Sequence, residues 1–309
     1  MLIRTTPLST ILLNKQLIPT LELKNKFNET ILKKYKSFIE SKKWIPCQDL
    51  IDSVNFFDLT AYMDKLMVER LEQKAASINS ELKQTKLDFQ EVFYRKLARN
   101  FGFNVNGDTF ELLAKSLPLK LINKHKNNLN QIEALLFGQA GLLENIFNDD
   151  YPNLLKSEYT FLSEKYKLEP IEQKLWKFMR LRPANFPTIR ISQFSQLLHR
   201  SSVLLTKILE TEKLSNIQNL LRVSTSDYWK NHFRFDIPAE QKNRFLGYAS
   251  ANLILVNTVA PFLFVYGQHK ADEKLQEKAL SWLELLKAEN NHIIKGFIKL
   301  GIVPQNAMQ

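Results

Sequence analysis

Leu129-Asn130-Gln131-Ile132-Glu133-Ala134-Leu135-Leu136-Phe137-Gly138-Gln139-Ala140-Gly141-Leu142-Leu143, running on to Ile146, decides the fold class. Its apolar residues surround almost the whole helical circumference, the pattern of a helix enclosed on every side. Gly138 and Gly141 are notches that let another backbone approach. A central core helix over 129–146 needs other helices to enclose it, and the rest of the chain supplies their stripes. Phe27, Ile31, Tyr35, Phe38 and Ile39 share one face; Leu59, Met63, Leu66, Arg70, Lys74, Ile78 and Leu82 imply a long helix, with Leu71 and Ala75 beside the charged positions. After a break at Thr85-Lys86, Phe89, Phe93, Leu97 and Phe101 continue the spacing, and the pair closes near Gly102. Tyr159, Leu162 and Tyr166 mark a further helix that Pro170 ends.

Downstream, 194–198 and 204–209 read as helical, and Tyr228, Trp229, His232 and Phe233 share a helical face behind a Thr225 or Ser226 cap. Leu275, Leu280, Trp282, Leu283 and Leu286 supply the last long helix, with Ile293, Phe297 and Leu300 behind it. Only eight glycines occur in 309 residues, which disfavours hairpin-dense β architecture. No G-x-G-x-x-G or G-x-x-x-x-G-K pattern is present to cradle phosphates. The exception is the start, where Leu2–Thr5 and the alternating Leu17–Lys24 read as strands that pair. The expected structure is therefore mostly α: a multi-helix globular array with a short N-terminal β-hairpin. Residues 1–24 form the hairpin, 25–169 an N-terminal helical half and 170–309 a C-terminal helical half, the two halves packed as one unit.

The apolar share of 44% is enough for a sizeable core. Forty-three basic against 32 acidic side chains give a net charge of +11, which favours acidic partners. A lone cysteine, Cys47, excludes an internal disulfide and a cysteine-based metal cluster. Met1–Pro7 breaks any apolar run before signal-peptide length, so the expected location is cytoplasmic. Phe245–His269 carries no Asp, Glu, Lys or Arg. Its Ser250, Asn252, Asn257, Thr258 and Gln268 suit a buried helix followed by a break at Pro261 better than a membrane span.

Candidate chemistry concentrates in Trp176–Gln193, where Arg180, Arg182 and Arg190 stand among Pro183, Asn185, Pro187 and Gln193. From Gln173 to Leu209 there are seven Lys/Arg residues and no Asp or Glu. No local carboxylate can neutralise these guanidinium groups, so distant acids, helix-end carbonyls or an outside anion must do so. As a binding site, Arg182 and Arg190 would be the anion forks, Arg180 a support, and Asn185 and Gln193 neutral hydrogen-bonding groups. The competing reading is an arginine network tying helix ends to a proline-fixed loop. Glu22-x-Lys24 matches half of a metal-dependent nuclease centre but has no upstream Asp. The five histidines show no metal-ligand spacing, and His125, within Lys120–Lys126, reads as a solvated helix end. No metal and no cofactor is expected.

Arg180–Ile191 resembles the hallmark of an uncharacterised bacterial family, domain of unknown function 2851. Phe110–Leu119, Gln131–Leu143 and Asn257–Gly267 extend the likeness, which covers the chain from about Ile18 onward. The resemblance implies no established activity. It does imply an additional N-terminal β-rich region with nuclease-like His, Asp and Glu residues, and a short Cys-containing tail after Asn306-Ala307, neither of which this chain carries. The expectation is a helical module of a longer protein that binds nucleic acid or another anionic ligand through the arginine-rich loop. Two alternatives stand beside it: a remnant of a phosphodiester hydrolase using Glu22 and Lys24, and a protein-interaction scaffold.

Overall fold

The computed structural model describes residues 12–13, 16–17, 26, 28–201, 203–304 and 306, and its backbone separates residues 1–56 from residues 57–309. In the first unit, β1 (Leu12–Leu13) pairs antiparallel with β2 (Gln16–Leu17). α1 (Glu29–Glu40) follows, its first turn capped by Asn28, whose side-chain oxygen accepts from the Thr30 N–H at 2.9 Å. The Ile31, Tyr35, Phe38 and Ile39 stripe forms the helix as its spacing predicts, but all four side chains are exposed.

The second unit is an array of helices: α2 (Phe56–Gln84), α3 (Phe89–Phe101), α4 (Phe103–Ser116), α5 (Leu119–Lys124), α6 (Leu129–Gln139), α7 (Asp150–Tyr166), α8 (Pro187–Arg200), α9 (Leu204–Glu210) and α10 (Leu214–Leu221). A hairpin of β3 (His232–Arg234) and β4 (Ile237–Pro238) interrupts the series. α11 (Tyr248–Ile254), α12 (Ala260–Lys270), α13 (Glu273–Leu285) and α14 (His292–Lys299) complete it. The mostly helical class stands, and the hairpin is where the expectation needs correcting. Leu2–Thr5 and all of 17–24 except Leu17 lie outside the described residues, and the described N-terminal pairing uses Leu12–Leu13 instead. The C-terminal hairpin occupies a stretch read as helix. A 3₁₀ turn ends at Lys230, Asp236 turns the chain at φ +59°, and β3 pairs with β4 across that turn.

α6 is the core helix, with Ile132, Leu135, Leu136 and Phe137 at 0% exposure. It ends at Gln139 and not near Ile146. Gly141 takes φ +69°, its N–H reaches the Gly138 carbonyl at 2.8 Å, and the Leu142 N–H reaches the Phe137 carbonyl at 3.0 Å. That is the paired closure of a glycine-terminated helix. Leu142 and Leu143 stay buried beyond it, which is why the apolar pattern outruns the helix. The Gly141 notch admits backbone as expected, since a Cβ there would lie 2.5 Å from the Ile171 carbonyl oxygen. Gly138 instead receives the Tyr159 ring of α7, whose nearest atom would stand 2.0 Å from an added Cβ. Residues on both sides of Glu169, among them Leu135, Ile189, Phe194 and Trp229, share one apolar core.

Pro261 does not break its helix. Tyr248–Lys270 is one continuous element, the only one among the described residues long and apolar enough to cross a membrane, and more than half of its most apolar window is buried in the protein. Just before the proline, Leu255–Val259 widens into a π-turn in which the Ala260 N–H bonds Leu255. The bypassed Val256 carbonyl accepts from Lys74 Nζ at 3.1 Å, and the Asn257 side chain accepts from Lys74 and Arg70. Burial, with Arg70 beside it, pushes the Lys74 ammonium down to about 7.

The Gly138 notch gives a stability prediction. Gly138→Ala should lower the unfolding free energy by about 1–3 kcal/mol through overpacking against Tyr159, despite alanine's better helix propensity. In a Tyr159→Ala background the same change should become neutral or stabilising. Chemical denaturation of the four proteins checks this, and equal effects in both backgrounds would contradict the contact.

Candidate functional site

Three of the five arginine-segment residues, Asn185, Arg190 and Gln193, come together; Arg190 and Gln193 face inward, while Asn185 stays exposed at the rim. Pro187 starts α8 earlier than the loop reading allows, which rolls Arg190 and Gln193 into the interior at 6% and 1% exposure. Arg190 Nη1 donates to Gln193 Oε1 at 2.9 Å, and Nη2 donates to Asn185 Oδ1 at 2.6 Å and to Ser250 Oγ at 3.4 Å. Its guanidinium carbon lies 4.7 Å from the centre of the Phe103 ring, and its Nε has no partner. Gln193 in turn donates to the Arg244 carbonyl at 2.9 Å. All of these hydrogen-bond acceptors are neutral, so burial pushes Arg190 down to about 10. Arg190, Asn185 and Gln193 thus form a brace between the loop, α8 and α11.

Arg180 and Arg182 are not part of that brace. Both are exposed, and neither has an ion-pair partner among the described residues. The segment carrying them is pinned from below: Trp176 Nε1 donates to the Ala140 carbonyl at 2.8 Å, and the Asn106 side chain bonds both the N–H and the carbonyl of Lys177. Phe178 packs edge-on against Phe186, and Arg234 of the unforeseen hairpin covers both rings at 4.9 and 5.2 Å. Arg234 is exposed too and forms no ion pair. Arg180 itself takes φ +61°, an uncommon conformation for a side chain of its size.

A second cluster lies toward the other end of α8. A cavity of about 500 Å³ opens between the first turn of α6, the start of α7, the last turns of α8 and residues 224–230. Backing its floor is Glu133, a carboxyl with no exposed surface. Oε1 accepts from Ser192 Oγ at 2.9 Å and Ser226 Oγ at 2.8 Å, while Oε2 accepts from Tyr151 Oη at 2.9 Å. The Ser226 N–H donates to Ser192 Oγ at 3.0 Å and Trp229 Nε1 to Tyr151 Oη at 3.2 Å. Burial raises Glu133 to about 7, and the hydroxyl donors only partly oppose that rise. Beyond Tyr151, the stacked Tyr228 donates to Asp149 at 2.6 Å, and His232 lies flat on Tyr228 with Nε2 3.4 Å from the same carboxylate.

Sequence reasoning missed this cluster, although it had a signal. Glu133 is the one charged residue of α6, within a stretch read as apolar all round, and a carboxyl enclosed by a core needs donors. Its donors come from 18 to 93 residues away, which no local pattern reveals. His125 also differs from expectation: it is buried, with Nδ1 2.8 Å from Gln131 Oε1 and Nε2 3.0 Å from Tyr166 Oη. Glu22 and Lys24 lie outside the described residues. Among those described, no three His, Cys, Asp or Glu residues stand close enough to hold a metal ion.

The family described as Protein of unknown function (DUF2851) matches residues 8–292, nearly the whole chain. The chain belongs to this family. Neither the curated proteins nor the solved structures contain a significant match. The family match spans the arginine turn, its brace and the Glu133 cluster alike.

The Glu133 shift sets a pH dependence with a definite sign. A carboxyl raised in the folded state binds more protons there than when unfolded, so stability is greatest below its ordinary value of 4.5 and declines until about pH 7. Glu133→Gln keeps an acceptor and removes the charge. Its stability relative to the wild type should improve across that window by an amount on the order of 3 kcal/mol, then level off. Unfolding curves at intervals from pH 4 to 8 measure the difference, and a constant gap would contradict the assignment.

Proposed function

We propose that this chain is a nucleic-acid-binding module whose contacts are made by Arg180, Arg182 and Arg234. The observation that carries the reading is that Arg180 and Arg182 of the turn and Arg234 of the hairpin are exposed and have no ion-pair partner among the described residues, while Arg234 also covers the half-buried rings of Phe178 and Phe186. Free guanidinium forks suit phosphate oxygens, and aromatic rings among them offer stacking to unpaired bases. Exposed Lys177 adds charge at the edge, and the net charge of +11 favours approach of a polyanion. Asn185, Arg190 and Gln193 serve in this reading as the brace that holds the turn at a fixed height.

The backbone at Arg180 supports a role for its side chain, because an arginine retained at φ +61° costs roughly 1–2 kcal/mol that a glycine would avoid. Arg180→Gly should therefore leave stability within about 1 kcal/mol of the wild type, strain relief offsetting the greater freedom of the unfolded chain.

Fluorescence anisotropy with single-stranded and duplex oligonucleotides, repeated across salt concentrations, tests the function. The wild type should bind with log affinity falling linearly as log salt rises. The combined Arg180→Ala, Arg182→Ala, Arg234→Ala variant should fold normally, bind more weakly to every sequence and lose about two units of that slope. Unchanged affinity and slope in the folded variant would refute the surface, and absence of binding at low salt would refute the function.

A further inference from the structure

The cavity above Glu133 differs in its chemistry from the arginine turn. It lies beside Arg200, roughly 15 Å of helical rise along α8 from Arg190. Its volume of about 500 Å³ falls within the range of small-molecule sites. Its lining is rich in hydrogen-bonding groups that the protein itself leaves unused. The side-chain amides of Asn130, Gln196 and Asn243 make no hydrogen bond among the described residues. Thr225 is only 4% exposed, and its hydroxyl has no hydrogen-bond partner among the described residues. A buried unpaired hydroxyl is costly in a folded protein and calls for a reason, which a bound donor or acceptor would supply.

The charges around the cavity are arranged by depth. Lys230 is paired with Asp227 at 2.6 Å, which leaves exposed Arg200 as the lining cation without a carboxylate partner among the described residues. Beside it the first turn of α6, an eleven-residue helix, opens on the same space; Asn128 caps the Gln131 N–H, and the Leu129 and Asn130 N–H groups are left to favour an anion. At the floor stands Glu133, which disfavours negative charge deeper in. An anionic ligand would therefore hold its charged group at the mouth and its neutral polar groups inward. Phe245, half exposed on the wall, offers an apolar face for a ring.

We propose that this cavity binds a sugar phosphate, free or as part of a nucleotide. Arg200 and the α6 N–H groups receive the phosphate, the Asn130, Gln196 and Asn243 amides with the Thr225 hydroxyl receive the sugar hydroxyls, and Phe245 covers the ring.

Titration calorimetry of the full chain with ribose 5-phosphate, adenosine monophosphate, ribose and inorganic phosphate tests the site. One or both phosphorylated sugars should bind more tightly than ribose or phosphate alone. Tighter binding of the nucleotide assigns that source, and equal or tighter binding of ribose 5-phosphate assigns the free sugar phosphate. Arg200→Ala, at an exposed position, should weaken binding at least about tenfold. Thr225→Val should also weaken it while leaving the melting temperature unlowered, since the hydroxyl it removes is unbonded in the free protein. The Arg180, Arg182, Arg234 triple variant should bind the sugar phosphate like the wild type. No binding of either phosphorylated sugar at millimolar concentration, equal binding of inorganic phosphate alone, or affinities unmoved by both Arg200→Ala and Thr225→Val would overturn the proposal.

Discussion

A carboxyl group taken wholly out of water must be either protonated or surrounded by donors, and Glu133 is enclosed by three hydroxyls drawn from three different parts of the chain. Tyr151 comes from α7, Ser192 from α8 and Ser226 from the segment leading to the β3–β4 hairpin. One side chain of the central helix therefore sets how its neighbours pack, because each hydroxyl must reach the same two oxygens. The aromatic layer of Phe137, Trp229, Tyr151 and Phe235 closes around the cluster and keeps its local dielectric low.

The second buried charge solves a similar problem with neutral partners only. Arg190 is held by two amide oxygens and a serine hydroxyl and lies against Phe103, with no ion-pair partner among the described residues. Removing a buried charge's partners costs more than removing exposed ones, so the geometry of the turn above it is strongly determined. That division of labour separates an inner arginine that holds the turn from outer arginines that are free to meet something else. α8 links both regions, with the brace at its start and the cavity near its end.

Helical periodicity was readable wherever a stripe meets a core. The long α2 follows from Leu59 to Leu82, and the enclosure of α6 follows from its all-round apolar pattern. Punctuation was less readable. Gly141 ends α6 through a left-handed turn while Leu142 and Leu143 continue to be buried, and Pro261 is accommodated by a π-turn whose freed carbonyl is satisfied by Lys74 from a distant helix. The stretch from Tyr228 to Phe233 carries aromatic residues that suit a helix face or a strand equally, and the tertiary packing of Phe235 on Trp229 decides between them. Within the arginine segment the residue types were legible and their directions were not. Whether Arg190 points in or out depends on Pro187 starting the helix about two turns earlier than 194, a choice local composition leaves open. Arg234 and the hydroxyls around Glu133 are joined to their sites by contacts across long sequence separations, beyond the reach of any motif.

The central claim is that a fully buried carboxyl, raised to about 7, joins α6, α7 and α8 at the heart of the molecule. Carbon-13 NMR of the Glu133 side-chain carboxyl, followed from pH 4 to 9 in the folded protein, addresses it directly. The account requires a midpoint near 7, in keeping with full burial among hydroxyl donors. A midpoint at or below the ordinary carboxylate range would place Glu133 in water or beside a cation, and the architecture described above would then be wrong at its centre.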